Sequence, residues 1–383
     1  MTASTPSAPP VFGRDSMMAW LELFYDLVFV AAILVLSSAV SHLHDAGKIL
    51  LVVAVFTSLW WVWLSTTLFA DRHRVDDLPQ RLLVLVQMFL VAVIAMEGHA
   101  GVVRDAQYLS VSYALLLGTV AIMYGRVVRA DPSRAQARRH ARLGTAAAAV
   151  FVVAAFVPNP ARYVVWMIGA VVAVVATLGP AAERRDVTRL DEHHLIERLG
   201  ALTIIVCGEA FVKVAIAVSN ARVDEIDVIA LAFQFVLTFT IWTSYFEDVP
   251  HAGIARRRLT PWVGLHLVMQ LAIAGTAIGV AKLVKTEPLA LVPAGDILEI
   301  TASLAAVFLA LGLLGLCTRR TPARPMFLLR VGASVIVVAA GVTSWLIPGV
   351  DVAEGVGALT IVAVAYTVAA YKVGAKTEVQ PAT

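Results

Sequence analysis

Long apolar runs alternate with short polar segments along the whole chain, and most of the runs are long enough to cross a bilayer as helices. The pattern predicts about twelve spans, at approximately 18–40, 47–70, 80–99, 107–128, 143–159, 162–182, 195–217, 228–247, 262–284, 297–317, 327–347 and 354–374. The fifth is short and runs into Pro158-Asn159-Pro160, a tight turn, and the sixth ends at Gly179-Pro180. The expected fold is an all-α integral membrane protein. The first span opens on Trp20-Leu-Glu22-Leu-Phe-Tyr-Asp26-Leu-Val-Phe, so two carboxylates lie inside its first turns. Glu22 and Asp26 are spaced i, i+4 and share one helix face.

Composition agrees with the pattern. The chain of 383 residues is 60% hydrophobic and 15% charged, with a mean hydropathy of +0.82. A soluble domain averages about 45–50% apolar and about 25% charged residues. The net charge of +3 is too small to point to nucleic acid, which leaves the lipid bilayer as the expected partner. Cys207 and Cys317 both fall in predicted spans, so neither a disulfide framework nor a zinc motif is indicated. The Ser/Thr/Pro-rich residues Met1 to Pro10 read as a disordered start, and no cleavable signal peptide is evident.

Charge distribution sets an expected orientation. One set of loops carries most of the basic residues, including Arg126, Arg129, Arg134, Arg138, Arg139 and Arg142 after the fourth span. Arg198, Arg319 and Arg330 are counted on the same side. The alternate loops hold only Lys48, Arg104, Arg162, Arg222, Lys282 and Lys285. This bias predicts an even number of spans with both termini cytoplasmic.

The two halves carry a weak internal echo. Trp63 and Gln87 are separated by the same interval as Trp242 and His266, and Glu22 and Glu197 each stand near the start of a span. The expected organisation is a parallel six-plus-six repeat: residues 18–182 as one half, 195–374 as the other, a linker at 183–194, and tails at 1–17 and 375–383.

Charges inside a bilayer are costly and face a protein interior or an aqueous cavity. The candidate intramembrane network is therefore Glu22 and Asp26 in span one, Glu197, Arg198, Glu209 and Lys213 in span seven, and Trp242 and Tyr245 in span eight. Gln87, Gln234 and His266 are secondary candidates; Gln and His at such depths usually bond a neighbouring helix. Glu209 and Lys213 are spaced to form an i, i+4 pair. Asp26 and Glu209 are expected to join one polar network. Trp60, Trp61 and Trp63 read as helix packing, and His193-His194 as solvated charge at a span start. No Gly-x-Ser-x-Gly, His-Glu-x-x-His or phosphate-binding loop is present, so no catalytic, metal or cofactor site is predicted.

Three stretches resemble the bacterial low temperature requirement protein A family. They are Glu22-Leu-Phe-Tyr-Asp26-Leu-Val-Phe, then His194-Leu-Ile-Glu197-Arg198-Leu-Gly200 with Cys207-Gly208-Glu209, then Trp242-Thr-Ser-Tyr245-Phe246. The resemblance implies a multi-spanning plasma-membrane protein linked by family name to growth in the cold, and it implies no settled activity. The opening of span one also looks like the Phe-Ser-Asp motif of the first helix of endolysosomal potassium and proton channels. Here Tyr25 stands in place of the serine, and the second half has Gly200-Ala201-Leu202 where a second copy is expected. Taken together, the leading expectation is a channel or transporter for a small cation or proton. A non-transporting protein of envelope or lipid homeostasis is the alternative, and an intramembrane enzyme the third.

Overall fold

The computed structural model describes residues 14–40, 46–101, 106–178, 191–220, 225–255, 258–284, 294–319, 324–347 and 352–378. The expected N-terminal disorder, most of the 183–194 linker and part of the C-terminal tail lie outside these residues. The described chain is helical: α1 (Arg14–Val40), α2 (Ala46–His73), α3 (Leu78–Gly101), α4 (Ala106–Ala130), α5 (Ala135–Phe156), α6 (Ala161–Leu178), α7 (Glu192–Asn220), α8 (Glu225–Phe246), α9 (Leu259–Val284), α10 (Ala294–Cys317), α11 (Arg324–Leu346) and α12 (Val352–Glu378). A single isolated bridge, Ile254 to Thr318, is the β-type pairing among the described residues.

Each predicted span corresponds to one helix, and the largest boundary difference is in α5. It begins at Ala135 rather than near 143, because Ala135-Gln-Ala-Arg-Arg-His-Ala-Arg is made of strong helix formers that hydropathy alone reads as loop. Ala137, His140 and Gly144 turn inward along this extension, while Arg142 faces out. Eight helices are long and apolar enough to cross a membrane: α1 to α4, α7, α9, α10 and α11. α6, α8 and α12 contribute the shorter apolar stretches Ala161–Thr177, Leu231–Phe246 and Gly357–Val373.

Helix ends are stitched at two faces of the bundle. At the face where α1 and α7 begin, Arg126 bonds Asp77, Arg134 bonds both Asp131 and His73, Arg74 bonds Asp191, and Arg319 bonds Glu192. This is the arginine-rich face. At the other face, Arg162 donates to the carbonyl of Ala154 (3.0 Å), and Lys282 bonds Glu299 (2.5 Å). Large apolar side chains such as Phe89, Phe156 and Ile361 are exposed on the outside of the bundle.

Packing pairs α1 with α3, α3 with α4, α4 with α5 and α5 with α6. The second half pairs α7 with α9, α9 with α10, α10 with α11 and α11 with α12. Lipid tails are as apolar as leucine, so close contact and hydrogen bonds, rather than apolar burial, hold such helices together. Gly279 illustrates the close contact: a Cβ there would lie 3.3 Å from the Ile300 Cα of α10.

The two halves meet along α1 and α7. Among the described residues three hydrogen-bonded side-chain pairs link these helices, Glu22 with His194, Asp26 with Arg198 and Ser37 with Glu209, and each spans 172 residues of sequence. A constant offset means that α1 and α7 run parallel and in register. Trp60, Trp63 and Phe29 are fully buried alongside this seam.

Candidate functional site

The centre of the seam is a buried ion pair. Arg198 Nη1 donates to Asp26 Oδ2 and Nη2 donates to Oδ1, both at 2.7 Å. Trp63 Nε1 of α2 adds a third donor to Oδ1 at 2.7 Å. Asp26 is 0% exposed and Arg198 6%. The two-pronged geometry matches the planar guanidinium to the carboxylate, which lysine cannot reproduce. The guanidinium carbon also lies 5.9 Å from the Trp63 ring centre.

Toward the arginine-rich face the pair continues into further ionisable groups. Glu22, one turn before Asp26, lies 3.8 Å from Arg198 Nε through its Oε2. The same oxygen is 3.1 Å from His194 Nε2, and His194 Nδ1 is 3.4 Å from Asp71 Oδ1 of α2. Asp71, whose side chain is fully buried, accepts the backbone N–H of Asp191 at 3.0 Å. Imidazole therefore stands between two carboxylates, with one nitrogen toward each. These five side chains sum to −1 even when His194 is protonated, since three carboxylates face one guanidinium and one imidazolium.

Two cavities approach the cluster. A small one of about 20 Å³ is lined by Glu22, Tyr25, Thr67, Gln80, Met123 and Arg198, among others. A larger one of about 260 Å³ opens nearer the arginine-rich face between α2, the α2–α3 turn and α4, with Phe69, His73, Asp77, Arg126, Asp131 and Arg134 in its walls. Asp77, in the turn before α3, is held below the ordinary carboxylate range by the Gln80 backbone N–H and by Arg126. Asp131 is likewise held low, first by the Ser133 hydroxyl and backbone N–H and then by Arg134.

Other predicted residues fall elsewhere. Glu209 is buried on the same face of α7, about 16 Å along the axis from Arg198. Ser37 donates to its Oε1 at 3.0 Å, its Oε2 has no hydrogen-bond partner among the described residues, and Lys213, also buried, lies within electrostatic range. Among the described residues no hydrogen bond or ion pair joins it to Asp26, so the expected single network is two groups separated along one seam. Glu197 and Trp242 lie outside both. Glu197 is an exposed partner of His193 at 3.4 Å, and Trp242 is 43% exposed, stacked on Phe239 and tilted against Phe246. Both sit on the helix sides turned away from the seam. Tyr245 is buried and bonds His266 Nε2 at 2.9 Å. Gln87 accepts from Thr66 (3.2 Å) and donates to Thr119 (2.9 Å), while Gln234 donates to Thr238 (3.0 Å) on its own helix.

Several participants escaped the sequence reading. Trp63 was assigned to packing, although an indole N–H buried in an apolar helix needs an acceptor. His194 was assigned to solvent, yet it bonds Glu22 while its neighbour His193 is exposed. The available signal was the repeated spacing of four: Glu22 with Asp26 on α1, His194 with Arg198 on α7. Gln270 accepts from Trp60 Nε1 (2.7 Å) and donates to Thr203 (3.1 Å), a second polar step between the halves. Arg330 and Lys282, counted as loop charges, are both buried. Arg330 bonds Asp248 and the carbonyls of Ser244 and Leu311, tying α8 to α10 and α11.

The model of the bacterial low temperature requirement A protein family matches residues 17–373, which takes in both halves and the whole seam. The chain belongs to that family. It is accordingly a multi-pass membrane protein of a bacterial family, in contact with lipid. Among curated proteins it is similar to the uncharacterized protein RA0937 of Rhizobium meliloti (strain 1021), at 27% identity over 238 residues. That match covers 59% of this chain and 58% of the relative, so the chain spans little more than half the length of the curated relative it matches. Along the seam of this family member the ionisable groups are Glu22, Asp26, Asp71, His194 and Arg198 together, and Glu209 with Lys213. No cluster of three or more His, Cys, Asp or Glu suited to a metal ion occurs among the described residues.

Proposed function

We propose that this low temperature requirement A family protein is a channel or transporter that moves a small cation or proton across the bacterial plasma membrane. The observation that carries the reading is the ladder Asp71, His194, Glu22, Arg198 and Asp26. It leads from the arginine-rich face to a buried, charged pair between two parallel helices. Such groups are expensive within a bilayer and commonly mark ion pathways and proton relays. Their sum of −1 provides a place for an added positive charge. Glu209, with one oxygen bonded to Ser37, serves as a second station farther along α7.

In this reading the twelve helices all span the membrane, the arginine-rich face is cytoplasmic, and the halves are related as a parallel repeat. Two bonded pairs support the repeat. Thr66 bonds Gln87 between α2 and α3, and Tyr245 bonds His266 between α8 and α9, each over 21 residues. The parallel course of α1 and α7 supports it further. The repeat is chemically asymmetric: Gly200-Ala201-Leu202 stands where a second Phe24-Tyr25-Asp26 is expected.

A second reading, a non-transporting role in envelope or lipid homeostasis, is supported by the complete satisfaction of Asp26 by three donors. Proton- and cation-flux measurements on purified protein in liposomes separate the two. Flux above that of protein-free vesicles, lost in Asp26→Asn, is the expected result. Flux indistinguishable from empty vesicles for a folded, correctly inserted protein refutes transport.

A further inference from the structure

The two cavities at the arginine-rich face share a wall. Met123 of α4 lines both. Beside it, Gln80 lines the small inner cavity and accepts a hydrogen bond from Arg126 of the outer one at 3.3 Å. Arg126 is held in turn by Asp77 at 2.5 Å, and the Met123 sulfur by the Gln87 amide at 3.5 Å. Met123, Gln80 and Arg126 thus stand between a chamber of about 260 Å³ and a smaller one of about 20 Å³.

The inner chamber has the size and the chemistry for one solvent molecule. A cavity needs roughly 10–15 Å³ of such volume, and 2–4 polar partners, to hold a water. Glu22, Thr67 and Arg198 line it. Thr67 Oγ1 and Arg198 Nε are buried and have no hydrogen-bond partner among the described residues. A hydrated metal cation does not fit this volume. A proton needs only a water that takes it from one side and releases another to Glu22 on the other.

We infer that the inner cavity is a single-water relay site, entered from the outer cavity past Met123 and the Gln80–Arg126 bond, and that the ion delivered to Glu22 and Asp26 is a proton rather than a metal cation. The role assigned to the relay rests on the transport reading, whereas the route can be tested without transport. In a Cys207→Ala/Cys317→Ala background, single cysteines are placed at Ala130 on the outer cavity and Thr67 on the inner one. Both are treated from the arginine-rich side with the bulky cationic thiol reagent 2-(trimethylammonium)ethyl methanethiosulfonate. Thr67→Cys should react about tenfold or more slowly than Ala130→Cys, the factor given by even a modest barrier, and adding Met123→Ala should recover most of that difference. The volume-conserving Met123→Leu should leave the inner site slow, and a thermal melt of each variant establishes that it is folded.

Equal rates at the two sites with Met123 in place overturn the partition. An inner site that stays unreactive in folded Met123→Ala overturns the route. On the liposome side, proton flux should persist when sodium and potassium are replaced by N-methyl-D-glucamine. A flux that requires sodium or potassium overturns the proton assignment. Absence of any flux overturns the transport reading and the relay role, and the labelling rates still decide whether the partition exists.

Discussion

Asp26→Asn removes one charge while almost preserving shape, and the geometry at the seam sets its consequence. The carboxylate accepts three hydrogen bonds, two from Arg198 and one from Trp63, and all three partners are obligate donors. An asparagine presents one oxygen and one NH₂ group, so its amide nitrogen must face at least one N–H of Arg198 or Trp63. The isosteric change is therefore not neutral. It leaves a guanidinium that is 6% exposed without its fork partner. Removing one member of a buried pair costs about 3–5 kcal/mol. Glu22, 3.8 Å from Arg198, offsets part of this, which places the expected loss toward the lower figure. The double variant Asp26→Leu/Arg198→Met removes both charges, and replacement of a buried pair by apolar residues is often neutral or stabilising. The assay is thermal unfolding in lipid nanodiscs paired with proton flux in liposomes. Asp26→Asn should lower the melting temperature markedly, the double variant should regain most of it, and neither should conduct. A double variant that regains stability and flux together refutes a role for the pair in transport. An Asp26→Asn protein with wild-type stability refutes the hydrogen-bond accounting itself.

Trp63→Phe keeps the ring and deletes one donor to a charged acceptor, so it should cost about 1.5–3 kcal/mol in the same unfolding assay; no measurable change would show that the indole N–H is dispensable. Glu209→Gln retains an oxygen for the Ser37 hydroxyl, so folded protein should remain abundant while flux falls; unchanged flux across pH would remove Glu209 from the pathway. Asp77 has its carboxyl held below the usual range, so its bond to Arg126 is intact from neutral pH down through the unfolded-state value and is lost only as pH falls through the depressed folded value. Asp77→Asn should accordingly leave any change of flux between pH 7 and pH 5 (an order-of-magnitude window around ordinary carboxylate and imidazole titration) in place; abolition of that change would assign it to Asp77. For orientation, an engineered cysteine near Asn220 should be labelled from outside intact cells and one near Arg134 only after permeabilisation; the reverse pattern would invert the bundle.

The sequence alone determined the elements and their order. Apolar runs of span length leave the backbone one way to satisfy its N–H and C=O groups in lipid, which is a helix, so each run became one. It also determined which residues were worth attention, because Glu22, Asp26, Arg198 and Glu209 are costly wherever an apolar helix places them. It could not determine their partners. The charge count puts Arg330 among the loop charges and leaves Arg198 without a named partner, and only the packing of α7 against α1, and of α11 against α8 and α10, decided what each one bonds. Trp63 and Trp242 have the same type and comparable positions in the two halves, yet Trp63 faces Asp26 and Trp242 faces outward. That difference follows from helix rotation, which one chain's pattern does not encode. The 172-residue register of α1 on α7 is likewise a tertiary fact. It joins Glu22 to His194 and Asp26 to Arg198, and it keeps Glu209 apart from both, because two parallel helices in register pair side chains at equal depth and separate those at different depths.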